Sequence, residues 1–175
     1  MISRRHVVIA GALLPVSNLL AQTCGVLTPR QTEGPFFKSN TPLRITLIEP
    51  GSKAPRLVVS GQVLTSGCKP VKGALLDFWH ADETGDYDTR GFRYRGHQFA
   101  DAEGRYRLET IVPAEYPGRV RHIHVKVQAP GGPVLTTQLY FPNEKGNQRD
   151  GLFRPELVIK MAERNQGGFD FVVPA

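Results

Sequence analysis

The sequence predicts an all-β fold: a β-sandwich of mixed and antiparallel strands with long loops and little helix. Glycine (18) and proline (14) are frequent in the 175 residues, so the chain turns often and leaves little room for long helices. Short runs that alternate apolar with polar residues, rich in β-branched side chains, recur between those turns. The length suits one compact domain, and 22% charged with 40% hydrophobic residues is an ordinary globular composition.

Residues 1–21 read as an export signal. Ser3-Arg4-Arg5 opens a charged start, Val7 to Leu14 is apolar, and Ala21 supplies a small residue for cleavage. The Arg4-Arg5 pair fits a twin-arginine signal, and the expected location is the periplasm. The apolar run is short and interrupted by Pro15, Ser17 and Asn18, so no membrane span is expected. Residues 22–175 form the expected single β-sandwich domain. It starts with an irregular arm over 22–55. Strands are expected over Leu57 to Leu64, Gly73 to His80, 92–99, Arg105 to Ile111, Val120 to Gln128, Val134 to Phe141 and Phe169 to Val173. Asp82 to Gly91 is a polar loop, Asp101 to Gly104 a turn, and 155–164 a short helix. Spacing of this kind is that of a sandwich.

The net charge is +6, and without Arg4 and Arg5 the remaining 20 basic and 16 acidic residues leave +4. The basic residues are scattered without interleaved aromatics, so nucleic acid is not an expected partner. Cys24 and Cys68 are the only cysteines, too few for a zinc site; in an oxidising compartment they either pair or stay free.

Chemistry concentrates around His122-Ile123-His124. Residues i and i+2 of a strand face the same way, so two imidazoles project side by side. Taken alone, such a pair is more often hydrogen-bonded or superficial than metal-binding. Tyr116 stands six residues earlier in a rigid Pro-and-Gly segment, and Tyr87 in the polar loop after Trp79. A trivalent cation lowers the pKa of a phenol from about 10 and makes it a hard anionic ligand. Either tyrosine alone also fits a half-buried turn tyrosine.

These stretches together resemble the intradiol ring-cleavage dioxygenases, the family of the catechol 1,2-, hydroxyquinol 1,2- and protocatechuate 3,4-dioxygenases. The resembling segments are TEGPFF (32–37), GALLDFWHADETGDYD (73–88), DAEGRYRLETIVPAEYPGRVRHIHVKV (101–127), LTTQLYF (135–141) and the terminal FDFVV. The resemblance implies Fe(III) held by Tyr87, Tyr116, His122 and His124. It assigns catalytic roles to Arg119, Gln138 and Tyr116, and brings Gly34, Pro35 and Phe36 near the substrate pocket. The implied reaction inserts both atoms of O2 into a small aromatic diol and cleaves between the hydroxyls, giving a cis,cis-muconate-type diacid. It also implies a homo-oligomer, or a complex with a partner subunit. Arg121 replaces a small residue and adds a second cation beside the site, while His80 replaces a glutamine and has no expected role.

Three other readings compete. An exported transthyretin-like binding module would make the Tyr and His set incidental. A copper or zinc hydrolase would need a third ligand near the His pair. An exported binder of ferric ion or aromatic ligands would keep the site without turnover.

Overall fold

The computed structural model describes residues 25–174. The expected export signal and Cys24 lie outside the described residues. Cys68 is disulfide-bonded. No helix among the described residues is long and apolar enough to cross a membrane.

Among the described residues, nine strands form two sheets: β1 (Arg56–Thr65), β2 (Leu75–Trp79), β3 (Arg95–Phe99), β4 (Arg105–Ile111), β5 (His122–Gln128), β6 (Val134–Tyr140), β7 (Lys160–Glu163), β8 (Gln166–Gly168) and β9 (Phe171–Val173). One sheet runs β3-β2-β5-β6, antiparallel throughout. The other runs β4-β1-β8-β7, with β9 also paired to β1; β8 and β9 lie parallel to β1. The sandwich is therefore mixed, as expected.

Period-two patterning sets which face of each strand is buried. Ile123, Val125 and Val127 of β5 are fully buried and meet Leu57, Val59 and Leu108 of the opposite sheet in one apolar cluster. On β4, Tyr106 and Leu108 point inward, while Arg105 and Arg107 point outward and pair with Asp101 and Glu109.

The expected helix over 155–164 is replaced by a 3-10 turn, Pro155–Leu157, followed by strand β7. Leu157 and Ile159 are buried while Val158 and Lys160 are less so, a period-two pattern that a helix would break. The Ile159 N–H donates to the Tyr140 carbonyl (2.9 Å), and β7 pairs with β8, which the sequence reading did not anticipate.

The irregular arm crosses the outside of the β3-β2-β5-β6 sheet. At one end the Gln31 N–H donates to the Thr136 carbonyl (2.8 Å) on β6. At the other, Leu43 bridges His97 on β3 and Thr46 bridges Glu109 on β4, with Leu47 buried in the core. Residues 32–37 thus lie over the outer face of this sheet.

Candidate metal centre

Residues paired directly across strands share a face. Arg95, Trp79, His124 and Gln138 are such a row across β3, β2, β5 and β6, and His122 pairs with Tyr140 in the neighbouring row. Both rows lie on the outer face, opposite Ile123 and Val125. Trp79 stacks on the His124 ring (centroids 4.8 Å apart, planes at 6°) and fixes its orientation.

The two imidazoles and a phenol converge. His122 Nε2 lies 3.1 Å from His124 Nε2 and 3.2 Å from the Tyr87 hydroxyl. His122 Nδ1 donates to the Val120 carbonyl (2.6 Å), which fixes the tautomer and leaves the Nε2 lone pair facing the cluster. Tyr116 completes the group from a second loop, its ring edge-on to Tyr87 at 5.9 Å. All four sequence-assigned ligands are thus neighbours.

The two tyrosine loops are clamped together. The Ala114 N–H donates to the Asp82 carbonyl (3.0 Å). Gly85 has φ +92°, and a Cβ there would sit 2.4 Å from the Glu115 carbonyl oxygen, so only glycine permits this approach. Asp82 accepts from the Thr84 and Asp86 N–H groups (2.9 and 3.0 Å) and shapes the turn before Tyr87.

The arm roofs the site. Gly34 lies against the His124 ring, 3.5 Å from the position of an added Cβ to Cε1, and Pro35 leads into Phe36. Phe36 stacks on Tyr87 (4.5 Å, 11°) and meets Tyr116 edge-on (5.4 Å), while Phe37 packs on Trp79 (5.0 Å). Trp79 was given no role from sequence, and Phe36 was expected only to pack near the substrate pocket with Gly34 and Pro35. The TEGPFF segment and the tryptophan strand carried the only available signal.

Arg119 and Gln138 are joined. Arg119 Nη2 donates to Gln138 Oε1 (2.7 Å), and Gln138 Nε2 donates to the Thr32 carbonyl (3.0 Å). Tyr140 also donates to Gln138 Oε1 (3.0 Å), so Gln138 braces Arg119 with its oxygen. Arg119 Nε is held by both oxygens of Asp150, a residue sequence reasoning missed because it lies 31 positions away with no motif of its own. Arg121 is ion-paired with Glu144 (3.2 Å). His80 turns toward the other sheet, its Nδ1 donating to the Ala81 carbonyl (2.7 Å) and its Nε2 accepting from Thr110 (2.6 Å).

Burial keeps the imidazoles neutral. It lowers His122 to about 4, with Arg119 adding to the effect against the Val120 bond, and holds His124 well below the ordinary histidine value. Burial also raises Tyr87, and the Arg119 and Arg95 guanidiniums oppose that rise. Arg95 is 1% exposed, and its Nε donates to the carbonyl of Asp88, beside Tyr87 (3.1 Å).

This set fits a ferric ion. Two neutral imidazoles face each other through Nε2, and in the metal-free form one must donate its proton to the other. His124 Nδ1 is buried without a partner. Two phenols supply the hard, ionisable oxygens that a trivalent cation favours. No group of three or more His, Cys, Asp or Glu side chains suited to a metal occurs among the described residues. An open groove of about 710 Å³ lies elsewhere, lined by Ile45, Gln98, Phe99 and Tyr106, and holds none of the four candidate ligands.

Known proteins share this sequence and shape. The profile of a family described as Dioxygenase matches residues 32–173. The chain is similar to the dioxygenase domain of a dioxygenase carbohydrate-binding protein fusion from the cellulolytic bacterium Streptomyces sp. SirexAA-E, at 53% identity and a TM-score of 0.82, covering 86% of this chain and 99% of that one. It is 31% identical over 174 residues to a chlorocatechol 1,2-dioxygenase of a Pseudomonas species, covering 81% of this chain and 68% of the relative. It is 36% identical over 117 residues to the protocatechuate 3,4-dioxygenase beta chain of Burkholderia cepacia, covering 57% and 50%. Across such curated relatives the chain spans from about half to about two thirds of their length.

Proposed function

Because the chain belongs to the intradiol ring-cleavage dioxygenase family, we propose that it binds Fe(III) through Tyr87, Tyr116, His122 and His124 and opens a catechol-type ring between its hydroxyls. Both atoms of O2 enter the product, a cis,cis-muconate-type diacid, and the bond between the two oxygenated carbons breaks. When bound, the ferric ion supplies Lewis acidity and draws electron density from the coordinated diol.

The chain's own residues do the rest. His122 and His124 stay neutral at physiological pH because they are buried, and they keep fixed orientations through Val120 and Trp79. Tyr116 sits on a half-exposed loop, where its oxygen, ionised when the ferric ion is bound, would take a proton from an incoming hydroxyl. Tyr87 stays pinned under Phe36. Arg119, held rigidly by Asp150 and Gln138, presents positive charge to negative charge that develops on the ring oxygens. Phe36 and Trp79 wall the site with apolar surface and exclude water.

The approach of His124 Nε2 (3.1 Å) and the Tyr87 hydroxyl (3.2 Å) to His122 Nε2, beside Tyr116, carries this reading. Iron-loaded protein is expected to be red from phenolate-to-ferric charge transfer. It should consume O2 with a panel of catechol, protocatechuate, hydroxyquinol and substituted catechols, and mass analysis should find the diacid. A colourless iron-loaded protein, or cleavage beside rather than between the hydroxyls, contradicts it. Export is part of the proposal and rests on Arg4-Arg5 and the apolar stretch after them. Cell fractionation tests it. Assembly with identical or partner chains is tested by sedimentation.

A further inference from the structure

Asp150 lies in the loop between β6 and the Pro155–Leu157 turn, and its side chain is 2% exposed. Both oxygens are fully engaged. Oδ1 accepts from Arg119 Nε (3.0 Å) and the Leu152 N–H (2.9 Å). Oδ2 accepts from Arg119 Nε (2.8 Å) and the Val120 N–H (3.1 Å). Burial works against the charge, but the Leu152, Arg119 and Val120 donors outweigh it and hold the carboxyl below its ordinary value.

Two consequences meet in this one group. Arg119 is gripped by its Nε edge, which frees Nη2 to reach Gln138 (2.7 Å). Val120 is gripped by its N–H, and the carbonyl of the same residue accepts the proton of His122 Nδ1 (2.6 Å). The guanidinium and the imidazole are therefore referenced to the same fixed carboxylate, although Asp150 touches neither the imidazoles nor the phenols.

We infer that Asp150 is a positioning residue for the reaction, setting the aim of Arg119 and, through Val120, the tautomer and orientation of His122. The inference rests on the dioxygenase reading of the site. Asparagine keeps the shape but loses the charge and one acceptor. Its amide group turns a donor toward a pocket whose other occupants, Arg119, Val120 and Leu152, are all donors.

The test compares wild type with Asp150→Asn and Asp150→Glu. In iron-free protein, nitrogen NMR of the imidazoles is expected to show His122 held as the Nδ1–H tautomer in wild type and as a mixture in Asp150→Asn. In iron-loaded protein, kcat for Asp150→Asn is expected to fall on the order of 10²-fold with KM little changed, the pattern of a lost transition-state contact. Asp150→Glu, which retains the charge, is expected to recover part of that loss. Combined with Arg119→Ala, Asp150→Asn should add clearly less than its loss alone, because the Arg119 share is already gone and only the His122 share remains. Losses that multiply in the double variant, or that simply follow the melting temperature, overturn the inference. So does an Asp150→Asn protein with wild-type tautomer and turnover. If Asp150→Asn does not fold, the same cycle is run on Asp150→Glu. An iron-loaded wild type that opens no catechol sinks the dioxygenase reading, while the iron-free tautomer comparison still decides Asp150's hold on His122.

Discussion

The two faces of the β3-β2-β5-β6 sheet are built to opposite rules. The inner face presents Leu76, Phe78, Ile123, Val125, Val127, Leu135 and Leu139, all buried against the second sheet. The outer face presents Arg95, Asp77, Trp79, His122, His124, Gln138 and Tyr140, nearly as buried, yet polar and needing partners for almost every atom. Inner-face residues are held by non-directional burial, at about 25 cal/mol per Å². Those on the outer face are held by hydrogen bonds and by ring stacking, as between Trp79 and His124, contacts that fix orientation and add little net stability. A shift of one residue in β5 register would exchange the two sets, so the aliphatic residues that stabilise the sandwich also hold the imidazoles on the correct side.

That contrast can be broken from either face. His124→Ala has the largest expected effect on chemistry: ferric affinity should fall by more than about 100-fold and the charge-transfer band should disappear. The iron-free protein should still melt cooperatively near the wild-type temperature. Metal titration and calorimetry read the two quantities, and a collapse in stability would show that the outer face also carries the fold. Ile123→Ala, one residue away, should do the reverse. It should cost about 3 kcal/mol in urea unfolding, as buried aliphatic truncations do, while the folded fraction keeps its band position. A shifted band would mean that packing reaches through the sheet to the metal.

His80 sharpens the boundary between the faces, because it is an ionisable group turned to the inner side and bonded to Thr110 on the opposite sheet. Burial lowers it to about 4, from about 6.5 in the unfolded chain. The unfolded state therefore binds more protons between these values. The contribution is full above pH 6.5 and is lost as pH falls toward 4. Between pH 7 and pH 4.5, iron-free wild type should lose about 2–3 kcal/mol more than His80→Gln. Equal losses in the two proteins would remove this assignment.

The inner face was readable from sequence, because period-two alternation in Val120 to Gln128 and Val134 to Phe141 is a local signal. The site was readable only where residues lie close in sequence, as with His122, His124 and Tyr116, or where family resemblance supplied the roles of Tyr87, Arg119 and Gln138. Asp150 escaped because its role depends on a loop folding back 31 residues onto Arg119. The misjudged helix at 155–164 shows the opposite error. Met161, Ala162 and Glu163 favour a helix locally, but pairing with β8 and the burial of Leu157 and Ile159 decided the outcome. Gln138 was given a catalytic role by the resemblance, and in the structure its oxygen accepts from Arg119 and Tyr140.

The arm over the site also has a bearing on the order of folding. It leaves the ribosome before every strand, yet the partners of its first residues come late: the Pro29 carbonyl waits for Thr137, 108 residues on, and Thr28 for Val172, 144 residues on. Contacts so distant in sequence form slowly, since a long loop must close before any bond repays it. The start of the arm, which leads into the roof of Gly34, Pro35 and Phe36, is thus made first and set last. A chain cut short before β9 would carry all four candidate ligands but lack the latch that holds the arm's first residues in place.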